Sequence, residues 1–206
     1  AERGAERGAE RAMAERSAVG ETAGQAPVSD EHAALRAAFS DDEASVTQAV
    51  ETWLSALWLP AEVSAQFTYD ASARTLWLDV DLPEVEDIPA TRAEVLAGGR
   101  VKEVPKSQRQ IRAEYAQCVF GIALFLAGSL FGVTYAPDEV VISAYTQRRN
   151  TDGDLADVYI YSVRIPRAGM EGVVVEDPEA LFLTFPNRVR LSTTKVFSAI
   201  KPFSPE

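Results

Sequence analysis

The stretch Ser107–Thr134, SQRQIRAEYAQCVFGIALFLAGSLFGVT, decides the architecture: after a polar opening, no side chain from Ala116 to Ala136 carries a charge. Its length and composition predict one long helix. A helix apolar on nearly all sides is stable only when protein wraps it or lipid dissolves it. The case for lipid is concrete. About twenty uncharged residues span a bilayer, and Gly128 and Gly132 have the spacing of small residues in packed membrane helices. Lys106, Arg109 and Arg112 before the run, against Asp138 and Glu139 after it, would even set an orientation. Against a span, Gly, Ser, Thr and Ala dilute the run, no second such run exists in the sequence, and the neighbouring strands need an apolar partner to cover them. The buried helix is the preferred reading and a single membrane span the further alternative.

Outward from the helix the period changes from 3.6 to 2. Gln66–Val80 alternates apolar and polar residues about a turn at Ala71-Ser72-Ala73, a β-hairpin with Leu76, Leu78 and Val80 on one side and Trp77 on the other. Pro83 and Pro89 then forbid a regular ladder, and Glu84, Glu86 and Asp87 crowd carboxylates together; such a loop reads as a solvated edge rather than a cation site. Residues 94–104 predict a second hairpin around Gly98 and Gly99. Beyond the helix, EVVISAY is a β-branched strand, QRRNTDGDLAD its polar turn, and DVYIYSVRIP the returning strand, with Val158, Ile160, Ser162 and Arg164 on one face and Tyr159, Tyr161, Val163 and Ile165 on the other. Val173–Val175 is expected to continue the sheet, Asp177-Pro178 to open a short helix, and residues 189–203 to close with an extended segment. The predicted fold is α+β: a mostly antiparallel sheet of hairpins packed on one long apolar helix, with N-terminal helices.

Residues 1–30 form a low-complexity Ala/Glu/Arg segment and a flexible linker carrying Gly20, Gly24 and Pro27. Residues 31–206 are expected to form a single domain, helical over 31–60 and built of hairpins plus the central helix over 66–206. In the helical part, Asp30 is placed as the cap of a helix holding Leu35 and Phe39. Ser40 with Glu43 is placed as a capping box for a second, whose Val46, Ala49, Val50, Trp53, Leu54 and Leu57 share one face.

The chain has 206 residues, a formal charge of −11 and 47% hydrophobic residues. That composition is globular, and the charge opposes bulk attraction to nucleic acid or anionic lipid. The single cysteine, Cys118, excludes an internal disulfide and fits a reducing compartment as a small buried hydrophobe. The lone His32 has no His or Cys companion for a metal site. The sequence opens without Met and without a charged-then-apolar leader, which predicts a piece of a cytoplasmic protein. No catalytic, metal-binding or cofactor constellation is legible, so an enzyme is not predicted and no cofactor is expected, although nuclease activity is not excluded.

Tyr69-Asp70, Leu82-Pro83, Ile88-Pro89, Tyr115, Leu130-Phe131, Ser162-Val163 with Arg164 and Arg167, Asp177-Pro178 and Ile200-Lys201-Pro202-Phe203 occur in an order that resembles the non-catalytic region preceding the nuclease domain of actinobacterial Mrr-type restriction endonucleases. The resemblance covers about residues 66–203. In that family the nuclease site lies in a later domain, where an Asp and a Gln/Glu-x-Lys bind Mg²⁺. Asp154, Asp157 and Glu103-Val104-Pro105-Lys106 do not reproduce that pattern, so catalysis is not carried over. Similar sequences place an Arg and a Glu where this helix has Phe125 and Ser129, and an Asn-Gly turn where this chain has Ser143 and Ala144. The more apolar helix surface around Phe125, Leu126 and Ser129 is therefore predicted to meet a partner chain, a second copy or the N-terminal helices.

The leading expectation is a non-catalytic interaction or scaffold module of a bacterial nuclease-associated or defence-system protein, with a protein partner or homo-oligomer. The alternative is a nucleic-acid-binding accessory domain that uses Arg148, Arg149, Arg164 and Arg167 as a local cluster.

Overall fold

A computed structural model of the protein describes residues 40–59, 63–149 and 153–205. The segment 1–30, His32 and the helix expected around Leu35 and Phe39 lie outside these residues.

The expected second N-terminal helix is α1, Glu43–Ala56. Its cap is Asp42, not Ser40: the Asp42 carboxylate accepts from the Ser45 N–H at 2.9 Å, while the Ser40 hydroxyl turns onto Asp42 itself. The difference follows from reach, since a carboxylate satisfies an orphan N–H of the first turn and favours its positive dipole end. Val46 and Val50 are fully buried, and Trp53 and Leu54 pack on the same core.

The first hairpin pairs β1 (Ser64–Asp70) with β2 (Thr75–Asp81), antiparallel, with Phe67 opposite Leu78 and Tyr69 opposite Leu76. Leu76, Leu78 and Val80 are buried and Trp77 lies on the other face, as the alternation requires. A short 3₁₀ turn, Val85–Asp87, then leads to β3 (Thr91–Val95) and β4 (Val101–Pro105), a two-stranded arm that pairs with no other strand. Its tip needs a positive φ at Gly98 and Gly99, 105° and 79°, a conformation that glycine adopts without a Cβ clash.

The long helix is α2, Gln108–Val133. Ser107 opens it with a capping box: the Gln110 N–H donates to the Ser107 hydroxyl, and the Gln110 side chain accepts from the Ser107 N–H. After it come β5 (Glu139–Arg149) and β6 (Leu155–Pro166), then a second 3₁₀ turn (Arg167–Gly169), the short helix α3 (Pro178–Phe182) capped by Asp177, and β7 (Asn187–Val189). The sheet order is β1-β2-β5-β6-β7. Every pairing in it is antiparallel except β2 with β5, which run parallel. The parallel pair explains the place of α2: a strand that returns in the same direction needs a long crossover, and here the arm and α2 supply it.

Ala116, Val119, Phe120, Ala123, Leu126, Ala127 and Leu130 of α2 have no exposed surface. The sheet covers one side with Val80, Val140, Ile142, Ala144, Tyr161, Val163 and Ile165. On another side Phe120 meets Phe182 of α3 at 4.4 Å between ring centroids and Phe197 at 5.6 Å. Tyr161 adds its hydroxyl, which donates to the Val119 carbonyl at 3.0 Å. A Cβ added at Gly128 would meet the Met170 side chain and one at Gly132 open space, so neither glycine packs against another helix backbone.

Two further expectations are corrected. A β-bulge between Ala144 and Tyr145 makes Tyr161 pair with Ala144 and Tyr159 with Tyr145, leaving Ile160 as the extra residue. Ile160 therefore enters the core beside Tyr161, and Tyr159 passes to the opposite face, where its hydroxyl donates to Asp79 at 3.1 Å. Val173–Val175 forms no strand and is exposed, because β7 occupies the sheet position beyond β6.

Substituting Leu126→Ala is expected to cost about 2–5 kcal/mol in urea denaturation, since it opens a cavity in a fully buried layer. The Ser40 and Ser45 hydrogen bonds hold the Asp42 carboxyl down to about 2, against an ordinary 3.8. A depressed carboxyl stabilises above its unfolded value, so α1 is expected to loosen as pH falls through that interval, read from the amide shifts of Ser45 to Val50. Asp42→Asn should keep the cap and remove this pH dependence; an unchanged profile would contradict the assignment.

Candidate functional site

The four arginines expected to cluster are not brought together. Arg148 and Arg149 lie at the far end of β5, paired with Ala156 and Leu155, whereas Arg164 pairs with Val141. Seven residues of strand, about 23 Å, separate these positions. Arg164 donates twice to Glu139 and reaches the ring of Phe203 at 6.0 Å. Arg167 is built into the fold. Its guanidinium donates to the carbonyls of Phe131, Thr134 and Pro137 at 2.8–3.1 Å and stacks on Phe131 at 4.6 Å. It satisfies the last carbonyls of α2 and complements the negative end of the helix dipole; burial pushes its pKa down.

The predicted partner face also separates. Phe125 is 45% exposed and meets Trp53 of α1 at 6.3 Å between centroids. Leu126 is fully buried in the core and Ser129 partly buried, so of the three Phe125 alone offers a large apolar surface. Trp53 of α1 lies beside the Phe125 ring.

A cleft that sequence reasoning missed lies between α2, the end of β5 and the 192–197 turn, with a volume of about 450 Å³. β2 ends opposite Tyr145, so Thr146 to Arg149 of β5 run on past it. The 3₁₀ turn fills part of that gap: the Leu82 N–H donates to the Tyr145 carbonyl at 3.0 Å, and the Gln147 N–H donates to Glu84 at 2.8 Å. Tyr115 and Phe197, edge to face at 5.9 Å, form the apolar floor. Arg112 comes from the first turns of α2, Arg148 and Arg149 from β5, and Lys195 from the turn. Lys195 sits at φ 59° and donates to both oxygens of Glu179, which fixes the turn against α3.

The electrostatics of the cleft are mixed. Partial burial raises the Glu84 carboxyl above its ordinary range, opposed by its bond to Gln147 and by Arg148. Burial, with Glu84 nearby, drives the Tyr115 phenol far upward, so it stays protonated. Thr146 is 1% exposed, and its hydroxyl has no hydrogen-bond partner among the described residues. The signal for this site was present as Thr146-Gln147-Arg148-Arg149, but β-strand alternation with a bulge upstream hid which of the four turn inward. Among the described residues no three His, Cys, Asp or Glu side chains converge as a metal site; Glu84 and Asp87 are instead bonded to the Gln147 and Glu84 N–H groups.

In comparison with known proteins, no family model, curated protein or solved structure matches the chain.

Arg167→Met is expected to destabilise the protein by about 1–3 kcal/mol in chemical denaturation, because it strips several carbonyls of their donor. Glu84→Gln keeps an acceptor for Gln147 and removes a desolvated charge. A raised carboxyl favours folding below its unfolded pKa and loses that contribution as pH rises, so the variant's melting temperature should gain on the parent's as pH rises above the ordinary value of 4.5. Parallel profiles would contradict the shift.

Proposed function

We propose that this chain is a non-catalytic interaction module, a rigid α+β body that presents the β3–β4 arm to a protein partner or to a second copy. The observation that carries this reading is the arm itself. Val95 and Val101 form its terminal cross-strand pair and are 71% and 66% exposed, and Leu96 beside them is also exposed. An isolated two-stranded hairpin is marginally stable in water, and its free edges are a template for further pairing. Apolar side chains held on such an arm bury nothing within the body and gain most from a second surface. The resemblance to the region preceding the nuclease in Mrr-type restriction endonucleases is the ground for placing the module in a bacterial nuclease-associated or defence-system protein.

A nucleic-acid-binding accessory role is the second reading, favoured by Arg112, Arg148 and Arg149 around one cleft. It is the weaker one, because Arg164 and Arg167 spend their donors inside the fold and the net charge is −11. A membrane span gains least support, since twelve residues of α2 are buried within the protein.

The double variant Val95→Asp, Val101→Asp is expected to leave urea stability within about 0.5 kcal/mol, as for exposed sites away from special features, and to abolish association. Light scattering reads self-association, and cross-linking through the arm reads a partner. Association that survives both substitutions contradicts the proposal. A mass shift with short duplex DNA that vanishes steeply with salt would favour the second reading.

A further inference from the structure

The interaction reading leaves the cleft without a role, and its chemistry departs from that of the chain. Against a net charge of −11, four cations and two carboxylates line it. Two of the cations are committed: Arg149 donates to the Gly153 carbonyl at 2.8 Å, and Lys195 is held by Glu179. Arg112 and Arg148 make no hydrogen bond or salt bridge with any described residue, though Arg148 acts on the Glu84 charge, so among the described residues their guanidinium donors are uncommitted and face the cleft. Thr146, on the same wall, holds a buried hydroxyl with no partner. Buried polar groups in folded proteins are nearly all bonded, and one without a described partner beside a cleft is open to completion by water or a ligand.

We infer that the cleft binds a small organic phosphate of nucleotide size, its oxyanion held by Arg112 and Arg148, its less polar body against Val85, Val196 and Phe197, and one of its hydrogen-bonding groups completing Thr146. The volume, about 450 Å³, is that of a small-molecule site. Phosphate fits better than carboxylate. A phosphate monoester carries close to two negative charges and three acceptor oxygens, which two free guanidinium forks can share, whereas one carboxylate saturates a single fork. A polymer fits worse, because Glu84 and Glu86 flank the cleft and the acidic body repels a phosphate chain running beyond it.

The test is calorimetric titration of the full chain with ADP, inorganic phosphate, adenosine, glutarate and single-stranded oligonucleotides of increasing length. ADP is expected to bind at least tenfold more tightly than adenosine or glutarate, with inorganic phosphate competing. Arg112→Gln and Arg148→Gln should each weaken ADP at least tenfold with the melting temperature unchanged. Thr146→Val carries opposite signs: it should raise the melting temperature of the free protein and weaken ADP about fivefold or more. The arm variant Val95→Asp, Val101→Asp should bind ADP as the parent does, which keeps this inference separate from the interaction reading. It is overturned if neither ADP nor phosphate gives a signal, if adenosine or glutarate matches ADP, if affinity grows with oligonucleotide length past that of ADP, or if all three cleft variants bind like the parent.

Discussion

The structure depends on one requirement, that a helix of 26 residues with no charge after Glu114 be covered on nearly every side. No single layer can do this. The sheet covers one flank, α1 another through Val46 and Val50, and α3 with Phe197 a third, where the rings of Phe120, Phe182, Tyr161 and Phe197 meet. Small residues in α2 lie against these elements: Ala116, Ala123 and Ala127 are wholly buried. Burial of such surface contributes about 25 cal/mol per Å² and needs no directional partner. That tolerance lets short, weakly patterned segments such as α3 find their places.

The parallel pairing of β2 and β5 follows from that requirement and in turn creates the cleft. A parallel return needs a crossover, and α2, which lies within that connection, is laid across the sheet. Because β2 stops opposite Tyr145 while β5 and β6 continue as a hairpin, four residues of β5 project beyond their neighbour. The bulge at Ile160 adjusts the faces at this point, sending Ile160 to the core and Tyr159 to Asp79. The site is thus a product of unequal strand lengths rather than of a local motif.

This origin explains how much could be read from sequence. Alternation over Leu76, Leu78 and Val80 and the apolar run were legible because each depends on residues close together in the chain. The α+β class and the three predicted hairpins followed. The parallel pair and the cleft were not legible, since they are fixed by contacts across 60 residues or more, such as Leu82 with Tyr145 and Gln147 with Glu84, and the bulge was not, since it depends on cross-strand register rather than on local pattern. Leu126 shows the same limit within α2: it neighbours Phe125 in sequence, yet a turn of 100° per residue puts one in the core and leaves the other half-exposed.

The arginines show why charge counted along a sequence misplaces function. Arg148, Arg149, Arg164 and Arg167 look alike in a hydrophilic turn and its return strand, and their free hydrogen-bonding capacity differs completely. Arg167 is consumed by the end of α2 and Arg164 faces Glu139, as the packing of strand ends demands. Arg148 makes no hydrogen bond or salt bridge among the described residues, although it lies near enough to Glu84 to act on its charge, and the Thr146 hydroxyl is likewise unmatched among them. A fold that needed these groups for its own stability would have filled the gap with an apolar side chain at position 146 and an acid opposite 148. Their presence in a cleft floored by Tyr115 and Phe197, unmatched by any described residue, is the physical argument for a ligand there.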